Sequence, residues 1–168
     1  MHQAHPFRQP QDPIRIRLAA QQDMPAIIGL VNAAFVIEDF LEGTRTDEQR
    51  MSAMMKKGEF LVAEDESGRL VASAYTECSG EHAYLGMLAV EPSRQGTGLG
   101  RTITKAAEEY CRERGCRRMR ITVLSLRSQL LPFYRKLGYA ESGTEPFRPS
   151  RPLKGGVECH AIVMLKDL

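Results

Sequence analysis

The sequence predicts an α/β fold of the α+β kind, in which about four helices flank a mixed, mostly antiparallel central sheet of about seven strands. Residues 60–65 and 70–78 are apolar segments joined by Glu66-Ser67-Gly68-Arg69, the pattern of a hairpin. Residues 83–90 form an uncharged, almost continuous apolar run, which is typical of a strand buried on both faces. A helix then crosses to the strand predicted at 118–124, and such a crossover favours a parallel pair.

The other elements follow from periodicity and from helix start and stop signals. Asp23 and Pro25 open the first helix, and a second helix begins at Thr46-Asp47-Glu48 and ends at Gly58. Further strands are predicted at 14–18, 139–144 and 158–165, and further helices at 99–115 and 129–137. The segment 145–157 is rich in proline and glycine, and is predicted to be a loop.

Composition bounds the class of protein. With 168 residues, 42% apolar and 26% charged, the chain is predicted to form one globular domain over 14–168, preceded by a mobile extension over 1–13. The net charge of +2 predicts no nucleic-acid partner, and no leader or bilayer-spanning apolar run is evident, so we expect a cytoplasmic protein without a membrane partner. The four cysteines form no C-x-x-C pair, so reduced thiols are expected and no metal site is supported.

A glycine-rich turn follows the apolar run 83–90. Glu91-Pro92 ends the strand, and Gly96, Gly98 and Gly100 alternate with other residues before a helical pattern begins at Leu99. Glycines let backbone N–H groups approach a phosphate closely, and a helix N-terminus carries unpaired N–H groups and partial positive charge. This order of strand, glycine turn and helix predicts an anion site, with an ordinary glycine-rich turn as the alternative.

Two other phosphate-binding motifs do not fit. A dinucleotide fingerprint needs G-x-G-x-x-G, but after Gly96 and Gly98 its third glycine position falls on Arg101. A Walker loop needs Gly-Lys followed by Ser or Thr, and the chain has no such run.

The turn resembles the acetyl-CoA loop of the GNAT superfamily of N-acetyltransferases, which carries [QR]-x-x-G-x-[GA] after its fourth strand. Gln95, Gly98 and Gly100 match that motif. A second match lies downstream, where 133–139 resembles the family's F-Y-x-x-x-G-[FY] element, whose tyrosine sits near the coenzyme sulfur. The resemblance covers roughly 14–168. It implies the GNAT acyl-CoA N-acyltransferase fold, acetyl-CoA as cofactor, and a coenzyme cleft between strands 83–90 and 118–124.

Together, the two motifs and the chemistry of acetyl transfer predict a set of site residues. Tyr134 is the candidate acid, because a phenol can protonate a departing thiolate or donate a hydrogen bond to it. Arg94 and Arg101 are expected to contact the coenzyme phosphates. The predicted coenzyme-binding residues are Leu88, Ala89, Val90, Arg94, Gln95, Gly96, Thr97, Gly98, Leu99, Gly100, Arg101, Ser125, Phe133 and Tyr134.

Gly86 predicts a bulge within the strand, since glycine weakens a strand interior. A bulge would splay the parallel pair and expose N–H groups, that of Leu88 above all, to an acetyl oxygen, which makes Leu88 the second catalytic candidate. One position departs from the family, because many members have asparagine seven residues before the tyrosine where this chain has Arg127. Ser125 or Ser128 could replace that contact.

The general base and the acceptor are open at this point. The candidates for the general base are Glu77, Glu81, His82, His160 or a water chain. Glu38, Asp39 and Glu42 are predicted either to form a solvated acidic loop or to attract a cationic amine to the cleft. The predicted activity is direct acetyl transfer from acetyl-CoA to the amine of a small molecule. Alternatives are a protein or peptide N-acetyltransferase and a non-catalytic coenzyme sensor, and a homodimer is left open. A 145–157 loop folded over the site would favour a small substrate.

Overall fold

A computed structural model describes residues 12–149 and 151–168, so most of the extension predicted over 1–13 lies outside the described residues. The strands are β1 (Arg15–Leu18), β2 (Glu59–Glu64), β3 (Leu70–Ser79), β4 (His82–Val90), β5 (Arg118–Leu124), β6 (Ala140–Pro146) and β7 (His160–Asp167). The α-helices are α1 (Met24–Ala34), α2 (Glu48–Lys57), α3 (Leu99–Glu113) and α4 (Leu131–Lys136).

The seven strands form one sheet in the order β1-β2-β3-β4-β5-β7-β6. The neighbouring strands are antiparallel except β4 and β5, which pair in parallel across the α3 crossover. This topology confirms the predicted fold class, including the change from antiparallel to parallel at the strand before the glycine turn. None of the described helices is long and apolar enough to cross a bilayer.

Two apolar clusters hold helices against opposite faces of the sheet. On one face, Ile27 and Val31 of α1 and Met51 of α2 pack with Phe60 and Tyr75. On the other face, α3 packs through residues that are fully or nearly fully buried, namely Leu99, Ile103, Ala107 and Cys111. The α3 residues follow the helical spacing seen in the sequence, so one face of the helix is apolar.

Two predictions need correction. The helix predicted over 129–137 is a 3-10 turn over Ser125–Leu130 followed by α4, because Pro132 lacks an N–H and fits only at the start of an α-helix. Strand β4 is not buried on both faces throughout. Ala83, Leu85 and Ala89 are buried, whereas Gly86 to Leu88 are only half-buried because that stretch borders a cavity.

The start of α1 is tied to the sheet through Asp23. Its carboxylate accepts hydrogen bonds from Nη1 and Nη2 of Arg17 on β1, at 2.7 and 3.0 Å, and from the Ala20 N–H at 2.7 Å. Arg17 also donates from Nε to Glu64 on β2, at 3.3 Å. The hydrogen bonds from Arg17 lower the pKa of Asp23 below its ordinary value. This cluster therefore stabilises the fold while Asp23 is ionised.

We predict that Asp23→Asn lowers the free energy of unfolding by about 1–3 kcal/mol at neutral pH, because the hydrogen bonds to a charged carboxylate are lost. Since the folded-state pKa is depressed, the stabilisation is present above the ordinary value of 3.8 and fades as the pH falls through the lower folded value. Urea titrations from neutral to acidic pH measure both effects. The control is Asp39→Asn, at an exposed aspartate. A gap between wild type and Asp23→Asn that is independent of pH would contradict the assignment.

Candidate functional site

Strands β4 and β5 separate soon after they pair. Their parallel register covers only His82–Tyr84 opposite Arg118–Arg120. On the other side of β4, the ladder to β3 passes from Gly86 opposite Tyr75 to Ala89 opposite Ser73, so β4 carries one extra residue there. Met87 takes a left-handed φ of 49°, which places the bulge beside Gly86 and confirms the predicted bulge. Among the described residues, Met87 and Leu88 have no partner in either ladder.

Gly86 is required by the ring of Tyr84. A Cβ at position 86 would lie 2.5 Å from the Tyr84 Oη and 2.8 Å from both its Cε1 and Cζ atoms. Side chains two residues apart in a strand share a face, and here the bulky ring uses the space that a glycine leaves. The close approach of Tyr84 and the bulge at Met87 together shape the β4 edge of the cleft.

A cavity of about 1080 Å³ fills the gap between the two strands. It is bordered by β4 from Tyr84 to Leu88, by β5 from Ile121 to Leu124, by the glycine turn and by α4. Of the predicted site residues, those that line it are Leu88, Val90, Arg94, Gln95, Gly96, Gly98, Gly100, Arg101, Phe133 and Tyr134. Two motifs that are about 40 residues apart in sequence thus meet at one cavity.

The glycine turn presents backbone donors at the start of α3. Gly96 and Gly98 have φ of 78° and 89°, and Gly98 is the N-cap residue of the helix. Within the described part of the chain, the N–H groups of Gly96, Gly98, Leu99, Gly100 and Arg101 meet no hydrogen-bond acceptor. Because α3 has 15 residues, its partial positive charge reinforces these donors. This arrangement suits an anion such as a phosphate.

The two arginines near the glycine turn, Arg94 and Arg101, differ in their ion-pair partners. Arg94 lies 3.3 Å from Asp65, 3.5 Å from Glu91 and 3.8 Å from Asp12, so its guanidinium braces the turn against the rest of the chain. Arg101 is exposed and has no ion-pair partner among the described residues. Arg101 is therefore the better placed of the two for a phosphate.

Tyr134 projects from α4 into the same cavity. Its ring stands edge-on to Phe133 and Tyr139, with centroids at 5.0 and 5.9 Å. Its hydroxyl has no hydrogen-bond partner in the described ranges, which leaves it available to a ligand. Burial raises the pKa of Tyr134 to about 12, so the phenol keeps its proton throughout the neutral range.

Four predicted coenzyme residues do not place side chains on the cavity. Ala89 and Leu99 are buried in the two cores, and Thr97 donates from Oγ1 to the Arg94 carbonyl at 2.6 Å. Ser125 accepts the N–H of His160 at 3.1 Å and donates to the Cys159 Sγ at 3.7 Å. For Leu99, the backbone N–H has no acceptor among the described residues and is the group available to a ligand.

None of the four residues considered as general bases lines this cavity. Glu77 accepts a hydrogen bond from the Tyr75 hydroxyl at 2.8 Å, and Glu81 pairs with Arg117 at 3.3 Å. His82 borders a different pocket, and His160 is exposed at the start of β7. Of the base candidates named from the sequence, a water chain is the one that this finding does not affect.

The sequence reasoning missed a charged cluster at the cavity wall. Glu38 is not part of a solvated loop but is only 4% exposed, and it lies among Arg45, Arg127 and Arg151. These residues come from three segments of the chain that lie outside the α-helices and strands, so no periodicity could have linked them. The one sequence signal for this cluster was Arg127, which occupies a position where many family members have asparagine.

The loop after β6 folds over the same end of the cavity. The N–H of Glu42 donates to the Pro152 carbonyl and that of Lys154 to the Phe40 carbonyl, both at 2.9 Å. Leu41 and Leu153 form an isolated antiparallel bridge. Pro146, Phe147 and Arg148 line the cavity beneath it. The loop, residues 147–149 and 151–159, and the connection between α1 and α2, residues 35–47, thus form one wall of the cavity, which we call the clasp.

We predict that Gly86→Ala lowers the free energy of unfolding by about 1–3 kcal/mol, because its Cβ must displace the Tyr84 ring. The control is Gly29→Ala, at an exposed position within α1 with no atom near its Cβ, which should raise stability by about 0.5–1 kcal/mol. A double-mutant cycle with Tyr84→Ala checks the cause. If Gly86→Ala is equally destabilising when the ring is absent, steric overlap with Tyr84 is not the reason.

Comparison with known proteins agrees with this geometry. The family model described as an acetyltransferase (GNAT) domain matches residues 29–149. Mycothiol acetyltransferase of Propionibacterium freudenreichii is 25% identical over 163 residues, which cover 89% of this chain and 52% of that protein. Thialysine N-epsilon-acetyltransferase of Bos taurus is 31% identical over 65 residues, which cover 39% of this chain and 38% of that protein. The chain therefore spans about half, or less, of these curated relatives.

Solved structures share the fold. The ribosomal-protein-S18-alanine N-acetyltransferase of Escherichia coli superposes with a TM-score of 0.74 and 20% identity, over 92% of this chain and 94% of that chain. YncA of Salmonella typhimurium, determined with its cofactor acetyl-CoA, has a TM-score of 0.74 and 21% identity, over 93% of this chain and 94% of that chain. Since the family model covers most of the chain and both sequence motifs meet at one cleft, the chain belongs to the GNAT acetyltransferase family.

Proposed function

We propose that this protein is an acetyl-CoA-dependent N-acetyltransferase that moves the acetyl group directly to the amine of a small molecule. The observation that carries the proposal is the meeting, at one cavity, of the unpaired amides at the start of α3 and the unpartnered hydroxyl of Tyr134. Membership of the GNAT family and the acetyl-CoA in the YncA structure support it.

Different groups of this chain would act on the diphosphate and on the thioester of acetyl-CoA. The amides of Gly96, Gly98, Leu99, Gly100 and Arg101, with the Arg101 side chain, would bind the coenzyme diphosphate at the helix N-terminus. The N–H of Leu88, released from the ladder by the bulge, would donate to the acetyl oxygen as negative charge develops there. With acetyl-CoA bound, a C–N bond to the acceptor would form as the C–S bond breaks, CoA would leave as its thiolate, and the amine proton would pass to solvent.

Tyr134 is better suited to hydrogen bonding than to full proton transfer. Its pKa of about 12 lies well above that of an alkyl thiol, about 8.5, so complete transfer of the phenol proton to the thiolate is uphill by about 5 kcal/mol. A charge-assisted hydrogen bond to the departing sulfur avoids that barrier. Tyr134 then stabilises the leaving group while keeping its proton.

The clasp supports a small acceptor over a protein substrate. The loop carrying Arg151 to Lys154 is hydrogen-bonded to the connection between α1 and α2, and residues of both segments line the cavity that holds Tyr134. An acceptor enclosed by such a wall would be a small molecule rather than a folded protein surface. Steady-state assays with amines and with peptide N-termini separate the two substrate classes, and binding of acetyl-CoA without transfer to any amine would indicate the sensor alternative.

We predict that Gly98→Ala weakens acetyl-CoA binding about tenfold, as measured by calorimetry. A Cβ at a φ of 89° forces the turn to change, which moves the N–H groups at the start of α3. The control is Gly115→Ala, at the other end of α3 with a φ of 86° and no atom near its Cβ. Both variants should lose similar stability, and only the first should lose affinity. Equal affinity in the two variants would contradict the amide site.

We predict that Tyr134→Phe lowers kcat about 100-fold and leaves the acetyl-CoA Kd within about threefold, because the hydroxyl acts on the departing sulfur rather than on the bound coenzyme. Since the pKa of Tyr134 is about 12, kcat should show no loss from its ionisation below about pH 11. Stopped assays of free thiol across that range measure both. An unchanged kcat in Tyr134→Phe would remove the hydroxyl from the reaction.

A further inference from the structure

The cluster around Glu38 has an excess of positive charge. The Glu38 carboxylate lies 3.7 Å from Arg45 Nε, 3.8 Å from Arg127 Nη1 and 3.8 Å from Arg151 Nη2. The Glu38 and Arg151 side chains are only 3% and 6% exposed, so the cluster is largely removed from water. Three guanidinium groups face one carboxylate, and we call this group the arginine cage.

The cage does not satisfy its own hydrogen bonds. Across residues 12–149 and 151–168, five buried side-chain polar atoms lack a hydrogen-bond partner, and four of them belong to the cage: Glu38 Oε1, Arg45 Nε, Arg127 Nε and Arg151 Nη2. Native proteins pair nearly all buried polar groups, so such a concentration at one place requires an explanation. Each guanidinium offers five N–H donors, far more than the described acceptors around it can use.

Neighbouring elements do not neutralise the excess. On α2 and just before it, Arg50 pairs with Asp47 at 3.7 Å, and on β6 Glu145 accepts from Arg120 at 2.6 Å. Arg148 adds a further cation at the cavity wall. Burial and the nearby Arg45 and Arg50 lower the pKa of Arg151, which is the expected effect of cations crowded together away from water.

The three arginines of the cage border the same cavity as Tyr134. Arg127 comes four residues before the start of α4, while Arg45 and Arg151 belong to the two segments of the clasp. The ring of Phe35 packs under Arg45 and Arg127, with guanidinium carbons at 5.2 and 5.9 Å from its centroid, and orients both. The coenzyme diphosphate already has its own donors at α3, so the cage is left for the other reactant.

We infer that the acceptor amine also carries an oxyanion, such as the carboxylate of an amino acid or a phosphoryl group, and that the arginine cage binds it. This rests on the proposed acetyl transfer. A planar guanidinium recognises such a group with two parallel hydrogen bonds, and a ligand anion supplies the negative charge and the acceptors that the cage lacks. Binding the anion there holds the amine of the same molecule in the cavity with the thioester.

The test uses matched acceptors that differ in the anionic group alone: the standard amino acids, their carboxamides, the corresponding decarboxylated amines, and aminoalkylphosphonic acids. We expect the best acid to exceed its own carboxamide at least tenfold in kcat/KM. The phosphonic acids separate the two sources of the oxyanion, since a preference for them assigns a phosphoryl group and a preference for amino acids assigns a carboxylate. Amides or simple amines that react as well as the acids would overturn the inference.

Variants locate the effect in the cage. Arg151→Gln and Arg127→Gln should each reduce kcat/KM for the best acid about 30-fold and for its carboxamide less than threefold, so the preference for the anion collapses. The matched control is Arg112→Gln, which removes an equal charge from an exposed site on α3. Two variants are used because Arg151 is buried and its loss could unfold the clasp. Retained preference in a folded variant would overturn the inference.

Binding measurements separate this inference from the proposed function. Acetyl-CoA affinity is measured first by calorimetry, and its absence defeats the proposed function itself. With the coenzyme site saturated by CoA, thermal shift is then recorded for each acid and its carboxamide, so anion recognition is read without turnover. A shift with acids alone supports the cage even if transfer is not seen. Acids that give no shift, or cage variants that weaken acetyl-CoA binding instead, overturn it.

Discussion

The separation of β4 from β5 beyond Tyr84 is the constraint on which the cleft depends. Paired strands lie about 4.8 Å apart, which leaves no room for a ligand between them. Here the parallel pairing ends after three residues, and β4 carries its bulge at Met87 just beyond that point. Beside the bulge, position 86 holds a glycine, and the Tyr84 ring occupies the space that a side chain would need there.

The two ends of the cavity present positive charge by different means. At the start of α3, backbone N–H groups supply partial charges that carry no proton to lose and are fixed by the helix itself. At the clasp, full charges on three guanidinium groups are held by packing, by Phe35 and by one carboxylate. Desolvation makes such a cluster unfavourable unless an anion completes it. In the proposed function, the first end would bind the coenzyme, and the second would bind the acceptor.

Local chemistry explains what the sequence could predict. The glycine turn, the crossover and the bulge each depend on residues that are adjacent in the chain, and the strand bounds agree with the structure to within about two residues. The arginine cage could not be predicted from the sequence, because its four residues meet only in the folded chain: Glu38, Arg45, Arg127 and Arg151. Ser125 was expected at the coenzyme, but the sequence could not reveal that β7 would engage its hydroxyl. The burial of β4 was overestimated because an apolar run does not distinguish a core from the wall of a cleft.

The clasp has a consequence for how this molecule can diversify. Its two segments are irregular connections joined by a pair of backbone hydrogen bonds and the bridge between Leu41 and Leu153, while the coenzyme end is built on strands and a long helix. Loops accept insertions and exchanges far more readily than the elements that they connect. Substitutions and insertions in the two segments of the clasp can therefore change which acceptor fits the cavity, while the strands and the helix at the other end stay unchanged.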